Sequence, residues 1–112
     1  VLGGRLYVLG GDGSDFETLS TVECLAPSRT GGLARATWLM LPPMHVHRAE
    51  CAAVALGGVL HVVGGSDGLS QPLASMECFD PAVGTWRPLQ PMRAARAGCA
   101  AAAAGGQLCV VG

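Results

Sequence analysis

The stretch LYVLGG (residues 6–11) returns as LHVVGG (residues 60–65) and begins a third time as LCVVG (residues 108–112). The first two copies start 54 residues apart, and the second and third start 48 apart. A period near 50 with several strands in each unit is typical of a propeller blade array. We therefore predict an all-β fold, a β-propeller fragment of four-stranded antiparallel blades that holds about two blades' worth of sequence.

Other features recur at the same two spacings. Glu23 and Glu77 lie in the matching tripeptides VEC and MEC, 54 residues apart, and Trp38 and Trp86 are 48 residues apart. The difference of six residues indicates an insertion within 27–35. We expect this insertion to lengthen the loop between the third and fourth strands (c and d) of the first blade.

These spacings divide the chain into three parts. Residues 1–45 are predicted to hold strands b, c and d of a first blade, residues 46–93 a complete blade, and residues 94–112 strands a and b of a third. Because a closed ring needs about four to eight blades, we expect the chain to be an excerpt of a longer propeller.

The two kinds of inner strand differ in composition. Strands that precede the glycine pairs are apolar on both faces, as in a strand packed between neighbouring sheets. Residues 51–56 and 99–104 are mostly small, which suits the crowded strand nearest a propeller axis. Alanine is the best helix former, so residues 100–104 also carry a local preference for helix.

Eight repeated residues are predicted to have structural roles. The glycines permit positive φ and close strand approach, and no phosphate-binding context follows them. The indoles are expected to pack blade against blade. The set comprises Gly10, Gly11, Gly64, Gly65, Trp38, Trp86, Glu23 and Glu77.

The composition argues against several function classes. The net charge of −1 with 13% charged residues provides no basic footprint for nucleic acid or anionic lipid. The longest apolar stretch, 51–63, is broken by glycines and is too short for a membrane span. Five cysteines without C-x-x-C spacing predict free thiols in a reducing compartment. We therefore expect a cytoplasmic protein, with nuclear or cytoskeleton-associated locations as alternatives.

Neither a metal nor another cofactor is expected. His45 and His47 could present two imidazoles, but a metal site needs three or four converging ligands. His61, the imagined third ligand, lies mid-strand where the other copies have Tyr7 and Cys109. No nucleophile–base–acid set or nucleophile elbow appears, so we do not expect an enzyme.

Taken together, the glycine pair, the glutamate, the spaced tryptophan and the Pro-Met before a basic residue resemble the Kelch repeat over essentially the whole chain. The usual tyrosine after the third strand is replaced by Leu25 and Phe79, both apolar. The segments PMHVHRAECAAVAL (43–56) and PMRAARAGCAAAAA (91–104) look like the d-to-a junctions of BTB–Kelch proteins. Members of that family are substrate adaptors of cullin-RING ubiquitin ligases.

The resemblance implies a partner-binding face formed by the d–a junctions and the b–c loops. Arg48 and Arg96 would line it and hold acidic segments of a protein substrate, because a guanidinium makes bidentate bonds to a carboxylate. The alternative is that both are solvated loop residues or pair with an acid such as Glu50. His47, beside Arg48, is a further candidate contact.

The b–c loops add Ser14, Ser70 and Gln71 as candidate partner contacts, because polar side chains on loops of a rigid scaffold suit recognition. The same residue types also form turns. The leading hypothesis is a substrate-recognition propeller, with cullin bound through a BTB domain outside this sequence. One alternative is an actin-binding or structural scaffold. Another is a propeller enzyme, since some Kelch-type propellers are copper oxidases; the single tyrosine, Tyr7, lies inside an inner strand.

Overall fold

The computed structural model describes residues 1–112, which form nine β-strands and no helix. This confirms the all-β prediction. The strands are β1 (Leu6–Leu9), β2 (Val22–Ser28), β3 (Gly32–Leu41), β4 (Ala52–Leu56), β5 (Val59–Val63), β6 (Met76–Asp80), β7 (Thr85–Leu89), β8 (Ala100–Ala104) and β9 (Gln107–Val111).

The strands form three antiparallel sheets in chain order: β1-β2-β3, β4-β5-β6-β7 and β8-β9. We call them the first, second and third sheets. Strands β4 and β8 lie beside each other. No helix is present that has the length and hydropathy to cross a membrane.

The six-residue insertion lengthens two strands and not the loop, which corrects the expectation from the sequence. β2 and β3 have seven and ten residues, against five each in β6 and β7, and only residues 29–31 connect them. The Ser28 hydroxyl accepts the N–H groups of Thr30 and Gly31, which closes a tight turn. A register shift between Ala26 and Ser28 accommodates Pro27, which has no N–H to donate.

The alanine run is a strand, in spite of its helix propensity. Ala100–Ala104 pairs with β9 along its whole length, from Ala100 opposite Val111 to Ala104 opposite Gln107. Pairing with a neighbouring strand overrides an intrinsic preference that amounts to less than about 1 kcal/mol per residue.

The core lies between the first and second sheets. Trp86 packs at its centre, with its ring centroid 5.2 Å from that of Phe79, and its Nε1–H donates to the Pro42 carbonyl at 2.8 Å. This bond ties the second sheet to the chain leaving the first. Trp38, at the matching repeat position, is 50% exposed. The remaining core residues are Val22, Met44, Leu60 and Val62.

The glycine pairs lie where another part of the backbone approaches closely. Gly10 and Gly64 have φ of 59° and 61°, and a Cβ on either would overlap the carbonyl oxygen of Arg48 or Arg96, respectively. The glycine that follows each one donates its N–H to that same carbonyl at 2.8 Å. Only glycine combines this φ with this contact.

Candidate functional site

Four connecting segments meet at one end of the strands. They are loop 1 (residues 10–21), loop 2 (residues 64–75), junction 1 (residues 42–51) and junction 2 (residues 90–99). In both repeats, the arginine of the junction donates its backbone N–H to the loop of the same repeat at 3.0 Å. The sequence analysis places partner binding on this face.

Arg48 does not lie on the open face, which corrects the prediction that it binds a partner there. Its side chain is 0% exposed, and all five of its N–H donors are used. Nε and Nη2 donate to Glu77 Oε2 at 3.2 and 3.1 Å. Nη1 donates to the carbonyls of Gly64 and Ser75 at 2.8 and 3.0 Å, and Nη2 also to Ser75 Oγ at 2.8 Å.

Glu77 is as fully engaged as Arg48. Its carboxylate is buried and also accepts the backbone N–H groups of His45 at 2.7 Å and Val46 at 3.2 Å. The charges therefore balance within the interior, where an unpaired charge would be costly. The alternative that Arg48 pairs with an acid is correct in kind, but the acid is Glu77 and not Glu50.

Arg48 joins two sheets. Its backbone N–H donates to Leu19, and its carbonyl accepts from Gly11, so the main chain is held by loop 1. Its side chain crosses to the second sheet and loop 2, where Glu77 and Ser75 lie. The two loops are therefore fixed relative to each other by one residue of junction 1.

Arg96 has the same backbone position one repeat later. Its Nη1 donates to the Gly112 carbonyl, as Arg48 donates to Gly64 exactly 48 residues earlier. The half-buried side chain lies beside Met92 and Val110 on the flank of the third sheet. The expected pair of exposed arginines on the open face is not formed.

The open face instead has a cleft between the two loops, with a volume of about 560 Å³. We call it the inter-loop cleft. Junction 1 and loop 2 are joined at its base by a pair of backbone hydrogen bonds between Ala49 and Ser66. Side chains that line it include Asp12, Phe16, Thr18, Glu50, Ser66 and Ser70.

Every non-glycine residue with positive φ in the chain lines this cleft. These residues are Phe16, Glu50 and Ser70, with φ of 61°, 53° and 57°. L-residues pay a steric penalty in this region, and such residues concentrate at functional sites. The side chains are thus held in positions that the backbone alone disfavours.

The polar groups of the cleft differ in how far they are already satisfied. The Asp12 carboxylate accepts a hydrogen bond from Thr18 Oγ1 at 3.0 Å. The Glu50 carboxylate is exposed and has neither a hydrogen-bond nor an ion-pair partner, and Phe16 is 92% exposed. Glu50 and Phe16 are therefore the groups most available to a partner.

The other predicted contacts occupy this end of the molecule in different ways. His47 is exposed, and its Nδ1–H donates to the Thr18 carbonyl at 2.6 Å. Ser70 lines the cleft, whereas Ser14 and Gln71 are exposed on the loops outside it. Their roles in partner binding stay predictions.

Sequence reasoning missed the principal side chains of the cleft. Glu50 was considered only as a pairing acid, and Phe16 only as part of a polar loop. A signal was present in the repeat, because Glu50 aligns with Gly98 and Phe16 with Ser70. A large side chain that replaces a glycine at a repeat position indicates a local role beyond the fold.

The cysteines are free thiols. Burial raises the pKa of the Cys51 thiol, and the nearby positive charge of Arg48 lowers it only in part. No group of three or more His, Cys, Asp or Glu side chains converges in a way that could hold a metal ion.

Comparisons with known proteins agree with this fold. The family model described as the Kelch motif matches residues 47–93. Kelch-like protein 8 of Mus musculus is 31% identical over 78 residues, 70% of this chain and 11% of that protein. Influenza virus NS1A-binding protein of Homo sapiens is 38% identical over 73 residues, 65% of this chain and 10% of that protein. The chain thus spans only a small part of these relatives.

A solved structure shares the architecture. A fungal alcohol oxidase of the AA5 family, in complex with copper, superposes with a TM-score of 0.67 at 24% identity over 83% of this chain and 21% of the oxidase. At this identity the likeness shows the fold alone.

Proposed function

Because the chain belongs to the Kelch-repeat family, we propose that it is a protein-interaction module that receives a segment of a partner protein in the inter-loop cleft. The observation that carries the proposal is the cleft itself, a concavity of about 560 Å³ whose most exposed side chains have no role in the core. Recognition residues commonly lie on loops that a rigid scaffold positions.

The scaffold beneath the cleft is rigid for identifiable reasons. The buried pair of Arg48 and Glu77 holds junction 1 on the second sheet, and Gly11 holds the Arg48 carbonyl on the first. A preorganised site loses less conformational entropy on binding. Phe16 provides an exposed aromatic anchor of the kind that contributes most to interface affinity.

More specifically, we propose that the module is the substrate-recognition part of a cullin-RING ubiquitin ligase adaptor in the cytoplasm. The relatives named Kelch-like proteins and the form of the two junctions support this. Cullin would bind through a BTB domain elsewhere in the parent protein. The module would make and break no bond, and its part in the reaction would be to hold the substrate.

Affinity purification of the full-length protein with mass spectrometry tests both levels. Phe16→Ala removes the exposed aromatic group of the cleft. Leu69→Ala is the matched control, because Leu69 is 79% exposed on loop 2 and lies outside the cleft. We expect cullin with all forms, and a set of proteins that Phe16→Ala alone loses.

Two other results would revise the proposal. Cytoskeletal partners without cullin would indicate a structural scaffold and remove the adaptor role. A protein set that does not respond to Phe16→Ala would mean that the inter-loop cleft is not the binding site.

A further inference from the structure

We propose that the inter-loop cleft selects a segment carrying an arginine side chain, with Glu50 as its ion-pair partner and Phe16 as its aromatic contact. This inference rests on the proposed function, and it specifies the chemistry of the partner. It reverses the expectation of an acidic ligand, which depended on exposed arginines.

The charges of the cleft favour a cation. Asp12 and Glu50 line it, and no lysine or arginine does. The nearest candidate for compensation, Arg48, is buried and neutralised by Glu77, while Arg96 lies on the flank of the third sheet. Within the cleft the carboxylate charge is therefore not offset by a cation of this chain.

The position of Glu50 is unusual for a glutamate. Its φ of 53° matches the 62° of Gly98, the residue 48 positions later. Glycine adopts this conformation without strain, whereas a residue with a Cβ does not. The carboxylate contributes no internal hydrogen bond or ion pair that would offset this strain. Its remaining role is toward a partner.

Phe16 complements the carboxylate. It is 92% exposed on the opposite loop, and it also has the left-handed backbone that places its ring in the cleft lining. A guanidinium stacks on an aromatic face while its N–H groups bond a carboxylate, which an ammonium does less well. The pairing of these two groups in one cleft therefore selects arginine over lysine.

The test uses the full-length protein and an array of immobilised decapeptides. Each peptide has arginine, lysine, citrulline or glutamate at one position in otherwise identical sequences. Citrulline has nearly the shape of arginine without its charge. The variants are Glu50→Gln and Phe16→Ala, with Asp15→Asn as the control, because Asp15 is exposed on loop 1 outside the cleft and its loss removes the same charge.

We expect the wild-type protein to retain arginine peptides in preference to citrulline peptides. Glu50→Gln should weaken retention about fivefold, the effect of one partly exposed ion pair, and Asp15→Asn should not. Retention should also fall as salt is raised. Equal retention of arginine and citrulline peptides, or equal effects of Glu50→Gln and Asp15→Asn, would overturn the inference.

The two proposals fail separately. Partners that depend on Phe16 in the purification, combined with no preference for arginine on the array, would leave the proposed function standing and refute this inference. Arginine retention that depends on Glu50, without any partner sensitive to Phe16, would support the cleft chemistry and refute the proposed role in protein capture.

Discussion

Arg48 Nη2 lies 3.1 Å from Glu77 Oε2, and the two side chains are 0% and 2% exposed. The pair connects a junction residue to a strand of the next sheet, 29 positions along the chain. An arginine that looks like a ligand-binding residue in the sequence is thus an internal connection between sheets.

Loss of either partner should destabilise the fold strongly. Arg48→Met leaves the Glu77 carboxylate buried without its cation, which costs about 3–5 kcal/mol. We expect Glu77→Leu to have a similar effect, and the double variant to cost less than the sum of the two single changes. Urea denaturation of the full-length protein measures this.

Arg35→Met is the control, since Arg35 is exposed on β3 and makes no side-chain hydrogen bond or ion pair. Equal denaturation midpoints for Arg48→Met and Arg35→Met would show that the buried pair does not stabilise the fold.

The first glycine of each pair should tolerate alanine less well than other glycines with positive φ. Gly10→Ala adds a Cβ that overlaps the Arg48 carbonyl, whereas Gly57→Ala, at φ 63°, meets nothing within 4 Å. Gly57→Ala should cost about 1 kcal/mol from φ alone, and Gly10→Ala clearly more. Thermal melts of the two variants provide the comparison, and equal losses would mean that the close approach has no energetic consequence.

Replacing Glu50 by glycine should stabilise the protein while weakening partner binding. The change relieves a left-handed backbone at φ 53°, worth about 0.5–1 kcal/mol after the greater flexibility of glycine in the unfolded chain is subtracted. Glu50→Ala removes the same carboxylate but keeps the strain, so its stability should match the wild type. A Glu50→Gly variant no more stable than Glu50→Ala would show that the backbone is not strained.

Cys51 should resist alkylation at neutral pH. Its pKa is raised by burial, so the folded protein keeps the thiol protonated where the unfolded chain would lose the proton. The associated stability is present below the unfolded pKa and is lost as pH rises through the folded pKa. Iodoacetamide labelling read by peptide mapping should be slower at Cys51 than at the exposed Cys109.

The same labelling should accelerate at Cys51 as the pH becomes alkaline, and Cys51→Ala should remove the corresponding part of the alkaline loss of stability. Labelling of Cys51 as fast as Cys109 at neutral pH would contradict the direction of the shift.

Much of the fold could be predicted because it depends on repetition. Strands recur in register with the glycine pairs, and the alanine run at 100–104 was correctly predicted as a strand by its position in the repeat. The blade-to-blade role of tryptophan fits Trp86, which reaches Pro42. The insertion at 27–35 was placed in a loop because spacing locates extra residues but does not show whether they pair, and here they extend a hairpin.

The candidate site was harder to predict, because it depends on the direction of side chains. The sequence determined by itself the all-β repeat and the end of the strands where loops and junctions meet, since periodicity and glycine positions are local and additive. Only the tertiary structure decided that Arg48 turns inward to Glu77 and that Glu50 and Phe16 face one cleft. Such choices depend on which charge finds a partner at close range, and partners 29 residues apart are brought together only by the folded chain.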